Sequence, residues 1–243
     1  VVAAINALHL PRYGLGNYVA PSPDTPPTHD EAKALQNLSR AGKRLMGFCR
    51  TNLFKRLESS GQAFIQSVER HILRNFVFLH AIETGKPLPI GTQDSGLLDA
   101  RICDEDVEAD GDMFDHERST GVPPVRDKNS GTGVSPVSDK NTARTAVPRS
   151  TEDFKHRATK AYGSYASHGK NRFDWLRPDL FDKVLADNLR ADAEALIKVL
   201  AKCGEWDAGR DTKLETLCDL LLKKYPQEKI IVFSQFAYTV RYL

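Results

Sequence analysis

Cysteine is scarce in this chain, and no stretch of it is apolar for long. Only four cysteines, Cys49, Cys103, Cys203 and Cys218, occur in 243 residues, none at C-x-x-C spacing. That excludes a disulfide framework or a zinc ribbon as the organising principle and makes a reducing cytoplasm the default. The seven histidines are scattered, without H-E-x-x-H or other metal-ligand spacing. No apolar run approaches the roughly 20 residues of a membrane span. Val1 to Leu10 is apolar but short, with no basic leader and no small-residue cleavage site, so no signal peptide is predicted. An initiator Met is also lacking, which fits a fragment. A phosphate-cradling G-x-x-x-x-G-K-[ST] loop is missing: Thr84-Gly85-Lys86 runs into Pro87 and has no upstream glycine at the right distance. A formal net charge of +2 excludes any argument for a nucleic-acid partner from total charge.

What is present is organised in blocks. Hydrophobic residues make up 40% and charged residues 27%, a composition that supports one or two globular domains. Residues 1–27 read as irregular, because Pro11, Gly14, Gly16, Pro21, Pro23, Pro26 and Pro27 interrupt any regular element. Residues 28–90 read as helical. Thr28 or Asp30 can cap a first helix carrying Leu35, Leu38, Leu45 and Phe48, with a break near Gly42. A second begins near Gly61, with Phe64, Ile65, Val68, Ile72, Phe76 and Leu79 on one face and Gln66, Glu69, Arg70 and Arg74 elsewhere. Gly85 is its stop, and Pro87 and Pro89 forbid continuation.

Residues 91–150 read as a disordered insertion. An acidic stretch runs from Asp104 to Glu117. It is followed by Gly121-Val-Pro-Pro-Val-Arg-Asp-Lys-Asn129, which recurs as Gly133-Val-Ser-Pro-Val-Ser-Asp-Lys-Asn141, with an echo at Thr145-Ala-Val-Pro-Arg149. Such composition buries too little surface to offset the entropy of ordering. Asp106, Glu108, Asp110, Gly111, Asp112 and Glu117 approach a calcium-loop spacing. Glu108 is too long for its position, and Pro123 and Pro124 forbid the exiting helix, so a solvated linker is the better reading.

Helical patterning returns over 151–208. Pro178 suits the first turn of a long helix with Phe181, Val184, Leu185, Leu189, Leu196, Val199 and Leu200 on its stripe and Gly204 at its end. A further helix is predicted from Asp211 to Tyr225, with Leu214, Leu217, Cys218, Leu221 and Leu222 on one face. Lys229-Ile-Ile-Val-Phe233 reads as a buried strand, Ser234-Gln-Phe as a turn, and Ala237 onward as a new helix. The expected fold is mainly α: helical blocks around a disordered insertion, ending in an incomplete α/β unit.

The most distinctive chemistry is a basic run. Arg50, Lys55 and Arg56, extended one turn apart by Arg70 and Arg74, could contact phosphates; the plain alternative is a solvated basic face over a helical core. Ser59, Ser60 and Gly61 form a joint between two helices. Asp30-Glu31-Ala32 superficially resembles an acidic magnesium-binding motif but lacks a preceding strand, so a helix N-terminus is the better reading.

Arg50-Thr-Asn-Leu-Phe-Lys-Arg-Leu-Glu-Ser-Ser60 and Phe64-Ile-Gln-Ser-Val-Glu-Arg-His-Ile-Leu-Arg74 together resemble a segment of bacterial Swi/Snf-type, superfamily-two helicase-like ATPases. Arg210-Asp-Thr-Lys-Leu-Glu-Thr-Leu and Lys229-Ile-Ile-Val-Phe-Ser-Gln-Phe236 resemble the entry to that family's second RecA-like lobe, the latter its motif IV. The resemblance covers most of 1–90 and 170–243 and has no counterpart for the insertion. It implies a fragment of an ATP-dependent DNA translocase: the inter-lobe helical region plus, over 209–243, the start of the second lobe. It further implies DNA and the remaining helicase lobes as partners, no membrane, and a bacterial, nucleoid-associated location. Ser234 and Gln235 match the motif IV turn, where the family approaches a DNA backbone, and Lys213 matches the lysine leading into the lobe. Tyr238 stands where an acid is expected. ATP and magnesium belong to the complete parent; no cofactor is expected in this chain, which should be inactive alone. The competing expectation is a non-enzymatic helical interaction scaffold or a degenerate gene remnant.

Overall fold

A computed structural model describes residues 1–91, 150–168 and 173–243. The described chain is mainly helical, and its order is α1 (Val2–Ala7), α2 (His29–Ser59), α3 (Gly61–Glu83), β1 (Leu88–Ile90), α4 (Thr151–His168), β2 (Asp174–Leu176), α5 (Val184–Cys203), α6 (Thr212–Asp219) and α7 (Ala237–Tyr242). The acidic stretch, the near-calcium loop and the repeats lie outside the described residues.

The sequence predicts a break near Gly42, but α2 is one helix. A glycine costs a helix interior only about 1 kcal/mol, and here both ends are well fixed. At the start, the Thr28 hydroxyl accepts from Glu31 N–H at 3.3 Å while the Glu31 carboxylate accepts from Thr28 N–H at 2.8 Å, a reciprocal capping box. Arg177 then grips the same carboxylate at 2.9 Å. At the other end Ser60 turns the chain into α3, its hydroxyl accepting from Ala63 N–H. The stop is as predicted: Gly85 adopts φ 63, a left-handed backbone that suits glycine.

Helix α3 is the central element, packed by α5, α4 and α2. The predicted face Phe64, Ile65, Val68, Ile72, Phe76 and Leu79 is buried, and so are Leu73, Val77 and Phe78. Being covered on several sides, α3 also buries Arg70, which the sequence pattern assigns to a solvent-facing side. From α4, Phe154, Tyr162 and Tyr165 enter the same core. Proline-flanked β1 pairs antiparallel with β2, Leu88 opposite Leu176 and Ile90 opposite Asp174. These three-residue strands were not predicted; Pro89 is tolerated because each strand of a two-stranded ribbon has a free edge.

Four expectations are corrected. Residues 1–27 are not wholly irregular: they hold α1 and two 3-10 turns, Pro11–Tyr13 and Leu15–Tyr18, and bury Ile5, Leu8, Leu10 and Leu15. The cause is tertiary. Asp192 on α5, 2% exposed, accepts from His9 N–H at 2.9 Å and Leu10 N–H at 2.7 Å. Pro178 does not open the long helix but sits in a separate 3-10 turn, Pro178–Leu180, and Val184 is exposed. Finally, 229–233 does not form a buried strand. Its backbone is unpaired, with Ile231 77% and Phe233 89% exposed. Among the described residues no strand lies beside it, and a strand needs neighbours to satisfy its backbone and cover its faces. The described chain therefore ends in helices and extended backbone rather than in an α/β layer. The stripe predicted over 211–225 likewise buries nothing: α6 continues into a π turn, Leu220–Lys224, and Leu222 is 73% exposed.

Candidate functional site

The joint between α2 and α3 brings residues from the end of α2 together with residues from the C-terminal part of the chain. Its physical basis is local: Ser60 has extended backbone (φ −159, ψ 132), and Gly61 opens α3 without a side chain. The indole of Trp206 fills the space beside Gly61 and leaves no room for a Cβ there. Around this point the C-terminal residues attach. The Lys213 ammonium donates to the Glu58 carbonyl in the last turn of α2, where helix carbonyls lack intrahelical partners and a cation is favoured. The hydroxyls of Ser59 and Thr239 lie 2.9 Å apart. The Phe236 ring stacks under the Arg56 guanidinium at 4.7 Å, a cation–π contact. Trp206 Nε1 donates to the Tyr242 hydroxyl at 2.9 Å, which donates in turn to Asp211 Oδ2 at 3.0 Å. A cleft of about 210 Å3 opens beside the joint, bordered by Ser59, Ser60, Asp211, Lys213, Ser234 and Thr239.

The predicted basic residues have unlike surroundings. Lys55 is exposed. Arg50 is half-buried, and its guanidinium donates to the Leu8 carbonyl, which ties α2 to the N-terminal segment. Arg74 is half-buried. Arg56 and Arg70 are 8% and 6% exposed, so in this conformation neither presents its charge to an outside backbone. That corrects the solvent-facing position expected of them. Arg70 donates to the Ser67 hydroxyl one turn back at 3.4 Å. Gln235 is exposed; the Ser234 hydroxyl accepts from Phe236 N–H at 3.3 Å and so shapes the turn before α7. The side chain of Tyr238 lies outside the described residues.

The buried arginines have a consequence for a residue that charge spacing did not single out. His71, half-buried on α3, places Nε2 3.7 Å from the Cys49 sulfur. Burial first, then the guanidiniums of Arg12, Arg74, Arg70 and Arg56, push its imidazole well below the ordinary histidine value. Arg12 arrives from the N-terminal segment, held by Asn75 Oδ1 at 3.2 Å. His80 is lowered too, by burial and then by Lys86. Both rings are therefore neutral in the fold at pH values where an unfolded chain would protonate them. The unfolded state binds more protons, so stability is complete above the ordinary histidine range and is lost as pH falls through it. The urea midpoint should drop between about pH 7 and pH 5, and His71→Gln should shallow that decline. Equal slopes for the two proteins would refute the assignment.

Among the described residues, neither Thr84-Gly85-Lys86 nor Glu31 suits ATP or magnesium. Thr84-Gly85-Lys86 lies at the C-terminal end of α3, the negative pole of the helix, which disfavours phosphate. Glu31 is committed to the cap of α2 and to Arg177, whose hydrogen bond is the main reason its carboxyl lies below the ordinary value. Missed by sequence reasoning were Arg12, His71, Trp206 and Tyr242. Only Trp206, one of two tryptophans and close behind the Gly204 helix stop, carried a signal, that of a large ring with no periodic partner.

No family model matches the chain, and no curated protein or solved structure matches it.

Proposed function

We propose that this chain is part of a Swi/Snf-type ATP-dependent DNA translocase, in which it supplies the coupling region between two motor lobes and a face for duplex DNA. The observation that carries this reading is the joint itself. Stretches that resemble the family, 50–60 on one side and 210–217 and 229–236 on the other, are far apart in sequence yet meet directly through Lys213 and Glu58 and through Phe236 and Arg56. The exposed run from Ile230 to Phe233 supports it as well, because an apolar β-branched segment of this kind is suited to the interior of a sheet. Residues that hold ATP and magnesium in that family have no counterpart here, so hydrolysis is not assigned to this chain.

In this role the basic residues contact phosphates without reading sequence, and binding is salt-dependent. Lys55 is the best placed, being exposed beside the joint, and Arg50, Arg74 and Gln235 are accessible at least in part. Filter binding of the full chain to a random-sequence duplex across a salt series is the test. Affinity should fall steeply with salt, and Lys55→Ala should reduce the log–log slope by about 1. Binding that ignores salt, or a Lys55→Ala slope equal to the parent's, would instead favour a non-enzymatic helical scaffold.

A further inference from the structure

We infer that residues 205–243 form a strap that opens and closes as a unit about Gly204, latched on the α2–α3 joint, and that its position decides whether Arg56 is accessible.

The latch is small and specific. Trp206 rests on the bare backbone of Gly61, where no Cβ would fit. Its indole N–H reaches the Tyr242 hydroxyl, and that hydroxyl reaches Asp211 Oδ2. The other Asp211 oxygen caps α6, accepting from Lys213 N–H at 3.0 Å and Leu214 N–H at 3.2 Å. One relay therefore ties the start of the strap, Trp206 and Asp211, to its end at Tyr242. Docking adds Lys213 on the Glu58 carbonyl and Ser59 on Thr239.

Very little else holds the strap. Helix α6 buries no residue, and from Leu222 to Phe233 every residue is exposed. Of the strap's described side chains only Phe236 and Thr239 are buried, and both sit on the joint. An element with so few buried contacts opens at far lower free energy than the core, independently of it. The hinge is explicit: Gly204 ends α5 at φ 65, ψ −161, with nothing within 4 Å of where a side chain would stand. When the strap lifts, Phe236 leaves Arg56 and the guanidinium becomes reachable.

The full chain carrying Tyr242→Phe tests it, since the ring is kept and only the relay hydroxyl is lost. Amide exchange over 237–243 should accelerate about tenfold, the effect of losing one or two hydrogen bonds, while α3 and α5 keep their protection. Phenylglyoxal modification of Arg56, followed by peptide mass, should accelerate in step. Gly61→Val, which evicts Trp206, should give the same pattern more strongly. The inference is overturned if exchange over 237–243 matches the parent's, if α3 and α5 accelerate equally, or if Arg56 reacts at an unchanged rate.

Discussion

Replacing Phe154 by alanine should destabilise the protein by about 3–5 kcal/mol, the usual cost of emptying a fully buried aromatic site. Phe154 is 0% exposed, and its ring stacks on Phe76 of α3 with centroids 6.3 Å apart and planes 9° from parallel. Arg157 covers the same ring at 5.5 Å. The site is walled by two helices that meet side by side, so it cannot collapse without moving one of them. At about 2–4 °C per kcal/mol for a chain of this size, the melting midpoint should fall by roughly 6–20 °C. The experiment reaches beyond one residue, because Phe154 follows the repeat-bearing stretch and Phe76 precedes it. A large loss means that the helical blocks on either side of that stretch share one core. A loss under about 1 kcal/mol, the range of an exposed position, would mean that α4 is not packed there.

The second large effect is expected at Asp192. This carboxylate accepts two backbone N–H groups, those of His9 and Leu10, and lies 3.2 Å from the His9 ring nitrogen. Leu10 sits at φ 52, a left-handed conformation that costs a leucine about 1–2 kcal/mol. The carboxylate offsets this by satisfying donors that would otherwise be buried without partners. Asp192→Ala leaves those donors unmet, at about 1–3 kcal/mol each. It also frees the segment that buries Ile5, Leu8 and Leu10. A total near 3 kcal/mol, or roughly 6–12 °C in midpoint, should appear in thermal melts. Asp192→Asn, which keeps one acceptor, should lie between the two. His9→Ala should be mild, since that side chain is half exposed and its backbone N–H remains. Equal losses for His9→Ala and Asp192→Ala would contradict the backbone role.

The elements that could be read in advance share one property: their signals are local. The apolar face of α3 was legible because Phe64, Val68, Ile72, Phe76 and Leu79 recur at the helical period. Thr28, Ser60 and Gly85 were legible because caps and stops act within three or four residues. Leu8, Leu10 and Leu15 were not, because they stand in a Gly/Pro-interrupted run without period and are buried only by tertiary contacts, Leu10 beside a carboxylate from α5 and Leu15 in a turn packed on α2. At the joint, Ser59, Ser60 and Gly61 could be recognised as a turn between helices. Nothing in their neighbourhood announced that Trp206 would lie on Gly61, or that Phe236 would cover Arg56. Charge spacing assigns arginines to solvent by default, yet α3 is enclosed from several directions and takes Arg70 inside with the apolar residues.

By itself the sequence determined where α2 begins, where α3 begins and ends, where α5 stops, and which side of α3 is apolar, since capping groups and helical periodicity are properties of a few adjacent residues. Only the tertiary structure decided which basic groups remain in water, how the N-terminal segment is held, and that Ile230 to Phe233 lies unpaired in solvent. Burial, ion pairing and strand formation are relations between distant parts of a chain. The energy that sets them exists only once those parts have met.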